Sequence, residues 1–315
     1  MKKGIICLAL TLSLLCGCGN QATVSEQDSR VDTVEVAASH YETAGDASAQ
    51  SGKVTAAKVN VGEKKWETRM DVLELSRDGK KIYGELYRPV GDGLFPGVVI
   101  AHGFNGTCNF AREAAKEFAQ NGVVAYIFDF IGGGDYVSSE GSTMEMSVLT
   151  EAADFNIAFD TVRALDYVDE NRMFVMGESQ GGYVATYIAG TRPDDVIGLI
   201  ALYPAYNLPS TPLIFYLIFG KIPEQSTFLG CTISRKYYED LAKVDIYKLM
   251  KKFKGKTVII HGDADELVPI SYSEKAVEVM KDAKLVTLPG ADHGFGGNST
   301  VRSEALKLMA EQANK

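Results

Sequence analysis

From Trp66 onward the apolar positions of this chain follow two patterns in turn: short unbroken runs, and longer stretches in which they return every third or fourth place. Short apolar runs bounded by glycine or polar turns read as strands buried on both faces, and the wider spacing reads as helices with one apolar face. Val72, Leu73 and Leu75 lead into Arg77-Asp78-Gly79, and Ile82-Tyr83-Gly84-Glu85-Leu86-Tyr87 follows, so Asp78-Gly79 predicts a β-hairpin. Gly97–Ala101, Val123–Phe128, Phe174–Met176, Val196–Tyr203, Thr257–Ile260 and Leu285–Leu288 predict strands. Helices are predicted over Asn109–Asn121, Met146–Val168, the stretch after Gly177, Ser273–Met280 and Thr300–Glu311. Buried strands that alternate with helices predict an α/β fold, a doubly wound and mostly parallel sheet, with the antiparallel hairpin at one edge.

One region breaks the rhythm. Residues 204–253 hold Pro204, Pro209, Pro212 and Pro223, the apolar run Leu213–Phe219 and several tyrosines. They predict a cap insertion over the C-terminal ends of the strands, where open α/β sheets bind ligands. Its Tyr206, Phe215, Tyr216 and Phe219 either wall an apolar acyl pocket or pack the cap onto the core.

Before Trp66 the pattern is different. Lys2 and Lys3 precede an apolar stretch, Ile5–Leu15, too short to span a bilayer comfortably. It ends in Leu15-Cys16-Gly17-Cys18, which resembles the bacterial lipobox. Residues 1–17 are therefore expected to be a lipoprotein signal peptide, with the lipid carried on Cys18. The following segment is rich in Ser, Ala, Thr, Gln, Asp and Glu, with Tyr41 its one aromatic residue. It cannot bury enough apolar surface to offset its ordering entropy. Residues 18–62 are expected to be a disordered stalk and 63–315 the folded domain, held outside the cytoplasm on the bacterial cell membrane by the lipid alone.

The formal charge of −9 over 315 residues argues against nucleic acid as a partner and supplies no basic face for anionic lipid. Cys108 and Cys231 fall within the domain; they either pair or remain thiols, and no cysteine or histidine spacing suits zinc.

The candidate chemistry begins at Gly177-Glu178-Ser179-Gln180-Gly181-Gly182, directly after an apolar strand and before a helix. Glycine-rich loops show G-x-S-x-G by chance, so the strand-to-helix context carries the reading of a nucleophile elbow with Ser179 at its tip. A serine hydroxyl needs a base, and histidine accepts and returns a proton near neutral pH. The chain has 4 histidines. His40 lies in the expected stalk, while His102 and His261 each close a buried strand. His293, in Gly290-Ala291-Asp292-His293-Gly294-Phe295, follows the last strand on the same sheet edge as the elbow and is the expected base. Asp263, Asp265 and Glu266 compete as the acid that orients it. Asp265 is the choice, with Asp263 as a turn residue and Glu266 in solvent. The expected oxyanion donors are the N–H of Gln180, at the start of the elbow helix, and that of Phe104, in the loop Ala101-His102-Gly103-Phe104-Asn105-Gly106. The His102 side chain is expected to pack beneath that loop.

Together with Phe128-Asp129-Phe130-Ile131-Gly132-Gly133-Gly134, these segments resemble the α/β-hydrolase superfamily, in particular bacterial cinnamoyl/feruloyl esterases and serine-aminopeptidase-like hydrolases. The likeness runs in order across about Trp66–Glu311. It implies Ser179 as nucleophile, Asp265 as acid, His293 as base, and Phe104 and Gln180 as oxyanion donors, with no metal or organic cofactor. Two features depart from it: Glu178 stands where those esterases usually have histidine, and the 204–253 insertion does not read like their lid. The function expected is a serine hydrolase that cleaves a small-molecule carboxylic ester through an acyl-enzyme. One alternative is an aminopeptidase or acyl-peptidase, in which Glu178, Asp135 or Glu140 holds the substrate amine. Another is a ligand-binding surface lipoprotein without catalysis.

Overall fold

The computed structural model describes residues 55–63, 65–295 and 298–315. The expected signal peptide, Cys18 and the stalk as far as residue 54 lie outside the described residues.

The domain is built on one eight-stranded sheet. Its antiparallel edge consists of β1 (Thr68–Val72), paired with β4 (Gly84–Pro89). Between them β2 (Leu75–Arg77) and β3 (Lys80–Ile82) form a separate ribbon. The ribbon turns at Asp78-Gly79, with φ of 54° and 74°, the two successive left-handed residues that a tight hairpin turn demands. Thus the expected hairpin exists, but the sheet edge itself is made by the strands flanking it.

The next strands are β5 (Phe95–Ala101), β6 (Val124–Phe128), β7 (Val168–Glu178) and β8 (Val196–Leu202). The cap carries a two-stranded ribbon, β9 (Gln225–Phe228) with β10 (Cys231–Ser234), and β11 (Lys256–Gly262) and β12 (Ala283–Leu288) complete the sheet. The order is β1-β4-β6-β5-β7-β8-β11-β12, parallel from β6 onward. Alternate residues along each strand enter two cores, Val99 and Ala101 on one face and Val98 and Ile100 on the other. The first face is covered by α2 (Val148–Arg163) and α3 (Ser179–Thr191). The second is covered by α1 (Arg112–Gln120) and by the last helix, at Ser299–Ala313.

Three boundaries differ from expectation. Residues before 63 already pack on the domain: Ala57 N–H donates to Leu94 O at 2.8 Å, and the backbone N–H and C=O of buried Val59 both bond the Asn314 side chain at 2.9 Å. Polar composition concealed this because one buried valine and a few backbone bonds are enough to hold a short strap. The helix expected to reach Val168 ends at Arg163, and Val168 already belongs to β7. No glycine or proline marks that end, so periodicity alone ran past it.

The cap is the third. It contains α4 (Ser210–Phe219) and α5 (Arg235–Ala242), but α6 (Ile246–Met250) returns to the helix layer. There Leu249 packs on Gly190 of α3 so closely that a Cβ on Gly190 would lie 2.6 Å from Leu249 Cβ. Residues 246–253 are body rather than cap. The remaining helices are α7 (Ser271–Val279) and α8 (Ser299–Ala313). Among the described residues, Cys108 and Cys231 are free and buried.

Candidate active site

The strand-to-helix turn leaves no room for side chains. Ser179 follows β7 without a loop and begins α3 with φ 49°, a left-handed conformation costly for any residue with a Cβ. A Cβ on Gly177 would lie 2.2 Å from Gly181 O, and one on Gly181 would lie 2.3 Å from His102 O and 2.5 Å from Ala101 O. All three obstacles are backbone and cannot swing aside. Gly181→Ala is therefore expected to lower unfolding stability by about 3 kcal/mol or more, measured by urea denaturation; a loss under about 1 kcal/mol would mean that the elbow is far looser than this geometry.

The strained turn points Ser179 at His293, on the loop after β12 at the same edge of the sheet. Ser179 Oγ lies 2.9 Å from His293 Nε2, and His293 Nδ1 lies 2.7 Å from Asp265 Oδ2. A carboxylate only accepts, so Nδ1 carries the proton and Nε2 is left to accept from the serine. Asp265 is buried, and its other oxygen accepts from the N–H groups of Leu267 at 3.0 Å and Val268 at 2.8 Å. Burial pushes its pKa up, but hydrogen bonds from His261, His293 and Val268 outweigh that and hold it well below the usual carboxylate range. Of the competing acids, Asp263 accepts from Gly290 N–H at 2.6 Å and Glu266 is exposed.

Two neighbours of this cluster were not identified from sequence. His261 is fully buried, with Nε2 3.2 Å from Asp265 Oδ2 and 2.9 Å from Val268 O. Both are acceptors, so Nε2 bears the proton, and Nδ1, 2.7 Å from Ser273 Oγ, accepts from that hydroxyl. Asp265 therefore serves two histidines; the four-residue spacing of His261 and Asp265 was the available signal. Tyr203, at the end of β8 with φ 33°, sets its ring edge-on to His293 with centroids 4.6 Å apart. Its hydroxyl donates to Glu178, which also accepts a longer bond from Gly103 N–H at 3.4 Å. Burial raises the Glu178 pKa, opposed by those two bonds and by His293.

The expected oxyanion donors come from either side of the serine. Among the described residues, neither Phe104 N–H nor Gln180 N–H has a protein acceptor. The Phe104 loop rests on His102, fully buried, whose Nε2 accepts from Phe130 N–H at 3.1 Å while Nδ1–H donates to Gly103 O at 2.8 Å. Burial lowers the His102 pKa, which keeps the ring neutral in this arrangement. Gln180 is anchored by its side chain, a role that its place in the elbow did not reveal. Its Nε2 lies 2.8 Å from both carboxyl oxygens of buried Glu151, and its Oε1 accepts from Tyr237 OH at 2.5 Å. Burial pushes the Glu151 pKa well up, with the Gln180 bond opposing, so Glu151 favours the neutral acid.

The aromatic residues of the cap divide. Tyr206 is buried and bonds Thr186 at 2.7 Å, and Phe215 packs on Tyr238 at 5.0 Å. Tyr216 and Phe219 are exposed. The cap residues that border the Phe104 side of the site are instead Phe228, at 5.2 Å between ring centroids, and Tyr237, at 6.1 Å. A four-residue acyl wall from Tyr206, Phe215, Tyr216 and Phe219 is not what the cap builds.

Comparison with known proteins places this arrangement. Residues 109–312 match the prolyl oligopeptidase family. The structure of Est1E from Butyrivibrio proteoclasticus with ferulic acid bound superposes with TM-score 0.68 and 26% identity, covering 77% of this chain and all of that one (100%). Alpha/beta hydrolase domain-containing protein 10 from mouse shares the fold at TM-score 0.60 and 19% identity, over 78% of this chain and 98% of that one. The acylamino-acid-releasing enzyme of Arabidopsis thaliana is 24% identical over 59% of this chain and 25% of its own length. The fold is the α/β-hydrolase fold.

Proposed function

The chain belongs to the prolyl oligopeptidase family, and on that premise we propose that it is a serine hydrolase acting on carboxylic esters of small apolar or aromatic acids. The observation that carries the reading is the hydrogen-bonded line from Ser179 through His293 to Asp265.

In this reading Ser179 Oγ attacks the ester carbonyl as His293 Nε2 takes its proton. Asp265 stabilises the imidazolium and keeps the ring in the tautomer that its Nδ1 contact requires. The carbonyl oxygen, now negative, is held by Phe104 and Gln180 N–H, the latter at the positive end of α3. His293 returns the proton to the departing alcohol. Water then enters, gives a proton to the same ring, and its oxygen attacks the acyl-enzyme; the acid leaves and Ser179 recovers its proton. No step calls for a metal or organic cofactor.

Esters are favoured over peptides by the state of the carboxylates that a peptidase would use for a substrate amine. Glu178 is engaged by Tyr203 and Gly103, and Glu140 accepts from Lys81 N–H at 2.7 Å. Likeness to Est1E with ferulic acid supports an aromatic or other apolar acyl group. A second reading, cleavage of an N-terminal residue from short peptides, draws on the family and on exposed Asp135, whose N–H bonds Asn105 in the Phe104 loop at 2.8 Å. Kinetics on matched panels of hydroxycinnamoyl esters, short-chain esters and aminoacyl peptides should give kcat/KM at least roughly tenfold higher for the best ester. A peptide preferred by the same margin would reverse the assignment.

We further propose that Cys18 carries lipid and that the enzyme works outside the cytoplasm on the bacterial membrane, supported by the lipobox-like Leu15-Cys16-Gly17-Cys18. Metabolic labelling with an alkynyl fatty acid should mark the wild type and leave Cys18→Ser unmarked.

A further inference from the structure

The apolar run at 213–219 forms α4, and its outward side is as apolar as its inward side. Pro212 is buried, and Leu208 and Phe215 pack on the core, giving the protein-facing stripe expected of a surface helix. The opposite side should then be polar. Instead Leu213 is 59% exposed, Tyr216 63%, Leu217 73% and Ile218 65%, with Phe219 and Ile214 also accessible. No charged residue occurs from Ser210 through Gly220; the first is Lys221, just past the left-handed cap at Gly220. A helix apolar on all sides needs an apolar medium around it. A contiguous patch of this kind on a chain of net charge −9 marks a contact surface.

We propose that α4 docks on a lipid bilayer, lying in the boundary between headgroups and acyl chains. Its ten residues amount to about 15 Å of helix, half the thickness of a hydrocarbon core, so it lies in the surface and does not span. Among the described residues no helix is long and apolar enough to cross a membrane. A bilayer suits this helix better than a second copy of the chain does, because the exposed side chains point to three sides of the cylinder. Fluid acyl chains surround such a shape; a single protein face covers one side.

The length of chain before the described body points the same way. With lipid on Cys18, residues 19–54 separate the anchor from residue 55. Those 36 residues reach at most about 130 Å even if fully extended. The body then stays in the neighbourhood of the bilayer, and a weak apolar contact is enough to orient it.

The orientation matters for the site. The segment that leads into α4 starts at the nucleophile, where Ala205 N–H donates to Ser179 O at 2.9 Å, and Asn207 Nδ2 donates to Leu267 O of the Asp265 loop at 3.1 Å. Docking through α4 turns the cap side toward the lipid, and with it the side from which apolar esters would arrive. The membrane contact expected through the lipid alone thus gains a second, protein-borne part. This inference rests on the membrane-anchored reading for its tether, but α4 binding is measurable without any lipid attached.

The test uses the chain from residue 19, which keeps every described residue and lacks the signal segment. Flotation with phosphatidylcholine vesicles should carry the wild type up. Leu217→Asp/Ile218→Asp should reduce the bound fraction about tenfold or more; both side chains face solvent, so the fold is untouched. Hydrolysis of a water-soluble ester should be the same in both proteins, which separates this proposal from the hydrolase reading. Binding to phosphatidylcholine should be unchanged when salt is raised, because the side chains in contact carry no charge. Equal flotation of wild type and variant would overturn the proposal. So would a wild-type dimer in sedimentation velocity that ignores vesicles and is monomeric in the variant, an outcome that assigns the face to a second copy.

Discussion

Replacing Ser179 with alanine is expected to lower kcat for the best ester by roughly 10⁵-fold or more, since removal of a serine nucleophile in such a triad leaves only binding and oxyanion stabilisation. Labelling by a fluorophosphonate probe should disappear with it. Stability should be little changed, because a half-buried serine at a turn contributes little packing. A companion variant exposes the strain in the elbow. Ser179→Gly removes the same hydroxyl but tolerates φ 49° without penalty, so it should be more stable than Ser179→Ala by about 1 kcal/mol. Equal inactivity with unequal stability would show that the fold tolerates the conformation for the sake of the hydroxyl. Substantial turnover by either variant would remove Ser179 from the nucleophile's role.

The second large effect belongs to Asp265. Asp265→Asn is expected to reduce kcat by roughly 10³- to 10⁴-fold, because an amide in that place no longer enforces the His293 tautomer. Here the shared carboxylate adds a consequence. Its Oδ2 faces both His293 Nδ1 at 2.7 Å and His261 Nε2 at 3.2 Å, so an amide nitrogen directed there would meet one or two N–H donors. The variant should therefore lose stability as well as rate. The pH dependence gives a separate check. The Asp265 pKa is depressed in the folded protein, so its stabilising contribution is complete above the unfolded-state pKa near 4 and is lost as pH falls below it. The stability of the wild type should accordingly drop more steeply than that of Asp265→Asn between about pH 5 and pH 3, followed by urea midpoints. Parallel slopes would mean that Asp265 is not held as a carboxylate by its two histidines.

These two residues illustrate what a linear reading reaches. Ser179 stands between Gly177 and Gly181, and the need for glycine at 177 is a local matter, since Gly181 O crowds the place where its Cβ would be, whereas at 181 the obstacles, His102 O and Ala101 O, come from the neighbouring strand and its loop. The run of apolar strands and amphipathic helices is local too, which is why the α/β order, the Asp78-Gly79 turn and the existence of a cap were all legible. Helix ends without glycine or proline were not: the apolar spacing runs on from Arg163 to Val168, although Val168 already belongs to β7. The strap at 55–60 was hidden because its burial depends on Asn314, 255 residues away.

What the chain alone determined, then, was each conformation that a few consecutive residues enforce: the strained turn at Ser179, the alternation of elements, and the loops from which Asp265 and His293 project. Only the assembled sheet decided who meets whom. It put His261 and His293 on one carboxylate, locked Gln180 between Glu151 and Tyr237, sent Tyr206 into the core, and left α4 with apolar side chains facing outward. The physical reason is the same in each case. Backbone sterics and periodicity act within a turn or two of chain, whereas hydrogen-bond partners and burial are settled by surfaces that come together only when distant strands have paired.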